Sequence, residues 1–134
     1  MNPSQITAIT PLRKRRDFVA MRSGQRQHNR AFVLQALART VEARASDANC
    51  RVGFTVTKKL GNAVIRNRIK RRLRAIAAIT LISAGKPAYD YVLIGKKDAL
   101  RANFATMSDE LGHALKKLHG NSPKISKPAG KSNG

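Results

Sequence analysis

An α+β two-layer sandwich is the fold class this sequence predicts, in the element order α-β-β-α-β-α with room for a further short strand. Three observations carry that expectation. Short apolar runs bounded by turn residues, over 30–38, 51–57 and 89–94, read as strands. Apolar residues at helical spacing over 12–22, 62–81 and 107–118 read as helices. Hydrophobic residues make up 42% of the 134, enough for the core of one domain. A few strands packed under helices then give two layers.

Residues 1–11 are polar and expected to be a loose, flexible N-terminus. A helix over 12–22 turns Leu12, Phe18 and Met21 inward and leaves Arg13, Lys14, Arg15 and Arg16 in solvent. Ser23-Gly24 ends it, because glycine tolerates the positive φ of a helix stop. In the strand over 30–38, Phe32, Leu34 and Ala36 share one face; Val33, Gln35 and Leu37 share the other. A polar loop over 40–49 follows. The clearest strand is 51–57. Its apolar face is Val52, Phe54 and Val56, while Arg51, Gly53, Thr55 and Thr57 form a small polar face suited to solvent or a ligand. Glycine inside a strand permits another backbone to approach closely, and Gly53 is expected to do so.

Residues 58–61 read as a turn, and Asn62 is a good N-cap for the helix over 62–81. Pro87 marks a loop before the strand over 89–94, and a turn over 95–98 leads to the last helix. There Leu111, Ala114, Leu115 and Leu118 repeat at helical spacing, and Gly120 is the stop. Residues 121–134 are rich in Pro, Ser, Gly and Lys and are expected to be a disordered basic tail, leaving 12–120 as one domain. If the strands on either side of the 62–81 helix run parallel, that helix is a βαβ crossover, which the general rule makes right-handed.

Charge is the strongest functional signal. The formal charge is +20, from 27 Lys and Arg against 7 Asp and Glu. Ten basic side chains lie between Asp47 and Asp90 with no acidic one among them: Arg51, Lys58, Lys59, Arg66, Arg68, Lys70, Arg71, Arg72, Arg74 and Lys86. Such a density of cation repels itself, and a polyanion relieves the repulsion; nucleic acid is the usual one. On a helical projection Ile65, Ile69, Leu73, Ile76 and Ile79 fall within an arc of roughly 120°, the expected buried face. Asn67, Lys70, Arg71 and Arg74 point away, with Arg66 and Arg68 on the flanks. Arg72 falls inside the apolar arc, so either its stem snorkels or the register shifts there. A merely solvated face usually mixes both signs, since opposite charges four apart attract. Lys58 and Lys59 precede the helix start, where unpaired N–H groups and the helix dipole make a candidate phosphate site.

Other classes fit less well. No apolar stretch approaches membrane-spanning length; the longest, 75–82, is broken by Thr80. The N-terminus has no apolar signal core, and a cytoplasmic location is expected. Cys50 is the only cysteine, and His28, His113 and His119 are scattered. No metal or other cofactor bound by protein side chains is therefore expected, nor an obligate protein partner.

The stretch Lys58-Lys59-x-Gly61-Asn62-Ala63-Val64-x-Arg66-Asn67-Arg68-x-Lys70-Arg71, within the ungapped run 51–74, resembles the signature of the bacterial ribonuclease P protein component. Asp17-Phe18, Asn29-Arg30 and Asp90-Tyr91 agree in order, so the resemblance covers roughly 12–118. It implies the element order read above and a left-handed crossover around the charged helix. It implies the subunit of a ribonucleoprotein endonuclease whose RNA removes the 5′ leader from precursor tRNA, with Mg2+ at the RNA's active site. The protein's partners would be that catalytic RNA and the single-stranded leader. Carried over by position, Lys58, Lys59, Asn62, Arg66, Asn67, Arg68, Lys70, Arg71 and Arg74 would bind RNA. Phe18, Gln35, Thr55 and Thr57 would line the leader cleft. Many relatives carry a second aromatic in the first helix and another at the position of Gln35. This chain offers Met21, Arg22 and Gln35 there, so the leader would lean on Phe18, on hydrogen bonds and on charge.

Catalysis by the chain itself is not expected. Phosphodiester hydrolysis by a protein needs carboxylates that hold metal or a positioned histidine. Of the seven acidic residues none lies in the charged block. The alternative is a ribosomal or other structured-RNA-binding protein without a nuclease role; a DNA-compacting protein and a stand-alone nuclease follow.

Overall fold

The computed structural model describes residues 9–40 and 49–121. Its strands are β1 (Ile9–Pro11), β2 (Gln25–His28), β3 (Phe32–Ala38), β4 (Cys50–Thr55) and β5 (Tyr89–Gly95). The helices are α1 (Arg15–Ala20), α2 (Ala63–Ala84) and α3 (Phe104–Asn121), and 3-10 turns occur at 21–23, 58–60 and 97–100. One sheet holds the strands in the order β1-β4-β5-β3-β2. Strand β4 runs parallel to β5 and to β1, whereas β3 is antiparallel to β5 and to β2. The parallel β4–β5 pair makes α2 a crossover, as its length requires.

Period-two alternation assigns each side of the sheet a different cover. Phe32 and Leu34 of β3, Val52 of β4, and Tyr91 and Leu93 of β5 enter the main core. There they meet Ile69, Leu73, Ile76 and Leu81 of α2 and Met107, Leu111 and Leu115 of α3. On the opposite side Val92 joins Leu12 and Met21 in a small second core, with Phe18, Leu37 and Ile94 packed against it. Thus α2 and α3 cover one side of the sheet and α1 covers part of the other.

Several expectations are corrected. The expected loose N-terminus over 1–11 is corrected at its end, because Ile9–Pro11 pairs with 50–52 and packs Ile9 against the main core; residues 1–8 lie outside the described residues. The first helix is shorter than 12–22; Met21 to Ser23 continue it as a 3-10 turn. Gly24 has φ −83, so it is not a positive-φ stop. Its hydrogen is required because a Cβ would stand 2.3 Å from the Ala36 carbonyl oxygen. The further short strand is β2, Gln-Arg-Gln-His, which carries no apolar residue. It exists through pairing with β3, and a polar edge strand protects the sheet from further pairing. Helix α3 passes through Gly120 to Asn121, and the expected tail over 122–134 lies outside the described residues, as does most of the 40–49 loop.

The buried face of α2 is also rotated from the expected arc. Ile69, Leu73 and Ile76 are buried, but Ala77, Thr80 and Leu81 complete the face and Ile79 is 61% exposed. The cause is α3, which crosses α2 at small residues. Thr80 Oγ1 lies 3.0 Å from Ser108 Oγ, and a Cβ at Gly112 would already touch the Thr80 methyl at 3.9 Å. Alanine and threonine weigh little on an apolar projection, yet they let two helices approach.

Candidate nucleic-acid interface

The charged helix is launched by a turn that only its sequence permits. Gly61 has φ 150, where a side chain is strained, and a Cβ would press on Ile65 at 3.0 Å. Asn62 then caps α2, its Oδ1 accepting from Ile65 N–H at 3.0 Å, as expected of an N-cap. Arg66 Nε donates to the Gly61 carbonyl at 3.2 Å, tying the turn to the helix. Lys58 and Lys59 stand exposed on the preceding 3-10 turn.

Along α2, Asn67, Arg68, Arg71 and Arg74 are exposed, and Arg66 and Lys70 are half-buried. Among the described residues no ion pair involves a side chain of this helix. The Arg74 guanidinium lies 5.5 Å from the centroid of the Phe54 ring, a cation–π placement that sequence spacing does not announce. The expected cationic face therefore exists, and its members are directed outward by the burial of Ile69, Leu73 and Ala77 beneath them.

Two of the ten cations do other work. Arg72, the misfit of the apolar arc, lies on the flank facing the 3-10 turn at 97–100. Its Nη1 donates to the Leu100 carbonyl at 3.1 Å and its Nη2 donates to the Ala102 carbonyl. Arg51 is not an unpaired cation on an open strand face. It grips Asp90 through two bonds, Nε to Oδ1 at 2.8 Å and Nη2 to Oδ2 at 2.7 Å, and its Nη1 lies 3.4 Å from Asp17 Oδ2. Arg39 reaches the same carboxylate at 2.8 Å. Asp90 is only 5% exposed and its Arg39 partner is likewise buried, whereas the Arg51 side chain keeps 26% of its surface exposed. This two-arginine, two-aspartate network escaped the sequence reading because its members are 12 to 73 positions apart along the chain (Arg39 to Arg51, Asp17 to Asp90).

The candidate cleft lies on the opposite side of the sheet. Phe18 of α1 stands over Gly53, and a Cβ there would come within 2.5 Å of Phe18 Cζ. The close approach at this glycine is thus by an aromatic ring rather than a backbone. Phe18 is half-buried, partly in the small core and partly open. Thr55, two residues along the same face of β4, is half-buried; Thr57 lies just beyond the strand and is exposed. Gln35 sits in β3 opposite Val92 and Arg26 and is 6% exposed, so its amide offers little surface to an outside ligand. Arg13, Lys14, Arg15, Arg16 and Arg22 are exposed on and around α1. The 58–61 turn joins the end of β4 to the start of α2, so the cleft strand leads directly into the cationic face.

The remaining titratable groups of note are internal. Burial pushes the Cys50 thiol up to about 11, which leaves it unreactive. His119 is lowered to about 4, first by burial and then by the Lys86 charge. Tyr91 accepts from the Lys86 N–H at 2.8 Å, and its hydroxyl lies 2.8 Å from His119 Nε2; burial raises its pKa strongly. Tyr91 and His119 thereby fasten α3 and the 85–88 loop to the sheet. Among the described residues no group of three or more His, Cys, Asp or Glu is placed to hold a metal ion. Nor is any helix among them long and apolar enough to cross a membrane.

Comparison with known proteins agrees with this architecture. The family model described as Ribonuclease P matches residues 8–119. A ribonuclease P protein component of Ruegeria pomeroyi is 44% identical over 119 residues, covering 87% of this chain and 92% of that protein. One from Brucella suis is 41% identical over 110 residues, covering 80% of this chain and 78% of that protein. Among solved structures, the RNase P protein from Thermotoga maritima superposes with a TM-score of 0.65 at 30% identity, covering 81% of this chain and 96% of that one. The RNase P protein of Staphylococcus aureus superposes with a TM-score of 0.63 at 30% identity, covering 79% and 92%. The chain belongs to the ribonuclease P protein component family.

Proposed function

We propose that this chain is the protein subunit of a cytoplasmic ribonuclease P ribonucleoprotein and helps a catalytic RNA remove the 5′ leader from precursor tRNA. The observation that carries this reading is the outward face of α2, where Asn67, Arg68, Arg71 and Arg74 are exposed and, among the described residues, no acidic side chain pairs with them. In this reading that face docks on the RNA subunit. Guanidinium groups suit the task because their planar donors match phosphate oxygens and their charge releases counterions from the RNA. Lys58, Lys59 and the capped helix start at Asn62 add phosphate contacts at one end, and Lys70 and Arg66 support the face from its flank.

The leader lies on the other side of the sheet. Phe18 supplies the one aromatic surface there, Thr55 and Thr57 supply hydroxyls, and the α1 cations supply charge. Stacking on a single ring contributes about 1–3 kcal/mol per base, so a modest, sequence-tolerant grip follows. Gln35, being buried, shapes the floor rather than bonding the leader.

Chemistry belongs to the RNA, with its Mg2+. The chain's acidic groups support this division: Asp17 and Asp90 are engaged by arginines, and the other described acids lie on α3 and the turn before it. The protein's contribution is to neutralise phosphate repulsion between catalytic RNA and substrate, which lowers the magnesium needed. The test uses purified protein, the catalytic RNA and precursor tRNA at low magnesium. The protein alone should cleave nothing, and adding it to the RNA should accelerate leader removal. Cleavage by the protein alone would overturn the division of labour. Absence of any acceleration would favour a structured-RNA-binding protein outside ribonuclease P.

A further inference from the structure

Helix α1 meets the sheet through two adjacent side chains. Of its six residues Asp17 and Phe18 are half-buried, and Arg15, Arg16, Val19 and Ala20 are exposed. None is fully buried, and the N-cap Lys14 makes no side-chain cap. A helix this short does not hold itself together in water, so its placement depends on what it meets. Leu12 before it and Met21 after it are 5% and 1% exposed and pin the two ends of the segment. Pinned ends leave the roll of the helix about its own axis to be set in between.

Asp17 and Phe18 set that roll together. Successive residues of a helix point about 100° apart, so contacts at both positions fix a rotation that one contact leaves free to rock. Phe18 lies over Gly53. Asp17 Oδ2 lies 3.4 Å from Arg51 Nη1. Arg51 and Gly53 are two apart on β4 and so share a face of the strand. The guanidinium is held in advance, because its Nε and Nη2 donate to Asp90 and so direct Nη1 toward α1. Four cations, Arg13 to Arg16, immediately precede Asp17, yet the ion pair it makes is with the strand. The Phe18 ring, with Leu12 and Gly53, lines part of a cavity of about 470 Å³, so a change of roll moves the ring relative to that space.

We propose that Asp17 is a positioning residue for leader binding: through Arg51 it sets the roll of α1 and thereby the seat of the Phe18 ring. This rests on the reading of the Phe18 cleft as the place of the leader, and adds a residue that the leader need not touch. A simple electrostatic view gives the opposite sign. A carboxylate beside a cleft for RNA repels phosphate, so its removal would strengthen leader binding. The positioning role makes removal weaken it.

The two views separate in the holoenzyme formed from the full chain and the catalytic RNA. The quantity read is the gain in substrate affinity that a leader confers, from precursor tRNA compared with tRNA lacking the leader. In Asp17→Asn that gain should shrink about threefold, the scale of a partly exposed ion pair, whereas affinity for the catalytic RNA stays as in the wild type. Asp17→Glu keeps the charge and should keep most of the gain. Nuclear Overhauser contacts report the ring directly. Those between Phe18 and the Gly53 α-protons should weaken in Asp17→Asn, while those between the Ile69 methyl and the Gly95 α-protons persist, so the ring is displaced in a chain that stays folded. Phe18→Ala reports on the cleft itself. An unchanged or larger gain in Asp17→Asn, with the gain lost in Phe18→Ala, would overturn the positioning role and leave the cleft standing. A gain that survives Phe18→Ala would overturn the cleft reading and the positioning role with it.

Discussion

The Phe18 ring occupies the space a side chain at position 53 would need: a Cβ on Gly53 would stand 2.5 Å from Phe18 Cζ and 2.7 Å from Cε1. The glycine and the aromatic are therefore one device. The absence of a side chain on β4 seats the only aromatic of α1, and the ring in turn packs on Leu12, Met21 and Val92. Gly53→Ala should push the ring out of its seat. A loss of about 1–3 kcal/mol in stability is expected from overpacking, with weaker leader binding in addition. Urea denaturation and the dependence of substrate affinity on leader length measure the two effects. A variant with wild-type stability and leader dependence would show that the ring moves freely.

Asp90 holds two arginines at once, and Arg51 passes the contact on to Asp17. Asp90→Asn keeps the shape but strips the charge that pairs with Arg39 and Arg51. Breaking a buried ion pair on one side costs about 3–5 kcal/mol, so the variant should unfold at markedly lower urea. An unchanged denaturation midpoint would mean the network is no stronger than an ordinary surface pair.

Neighbouring arginines on α2 should behave in opposite ways. Arg72→Ala removes donors to the Leu100 and Ala102 carbonyls, so stability should drop by about 1.5–3 kcal/mol with little change in RNA affinity once folded. Arg71→Ala removes an exposed cation, so stability should hold and affinity for RNA should fall. Equal behaviour of the two, in paired melting and binding assays, would argue against the division made here between fold-holding and RNA-facing cations.

Stability should depend on His119 at mildly acidic pH. Its pKa is about 4 in the folded chain against 6.5 as the ordinary value, because burial and Lys86 disfavour the charged ring. Between those values the unfolded chain binds a proton that the folded chain does not, so folding weakens as pH falls. The contribution is fully present above pH 6.5 and lost by pH 4. Allowing for solvent screening, about 1–2 kcal/mol is at stake. His119→Gln keeps an acceptor for Tyr91 without the titration, so its unfolding free energy should change less between pH 7 and pH 4.5 than the wild type's, on roughly that scale. Equal losses in both proteins would place the titration elsewhere.

Much of this was legible from residue order. The strand at Val52-Gly53-Phe54, the cap at Asn62 and the crossover helix follow from local patterns, because alternation, capping and helical spacing act over a few residues. What escaped depends on partners far along the chain. Strand β2 has no apolar residue and is created by β3. Ile79 looks buried until α3 draws the contact toward Ala77 and Thr80. Arg51 and Arg72 look like their exposed cationic neighbours until Asp90 and the Leu100 carbonyl are seen beside them. In the candidate site the same division holds: the cations of α2 were readable as a charge run, whereas the burial of Gln35 and the seat of Phe18 needed the sheet assembled.

The central claim is that α2 presents its exposed cations to RNA phosphate, and salt dependence tests it most directly. Neutralising about six phosphates gives a slope of log affinity against log salt of roughly −4 to −5 for the wild type binding the catalytic RNA. Arg68→Glu with Arg71→Glu spares Arg66, which ties the turn at Gly61, and so should leave the fold intact. The account predicts that this pair of changes lowers affinity by about a hundredfold or more and makes the slope shallower by roughly two. A folded double variant that binds the RNA with wild-type affinity and slope would contradict it.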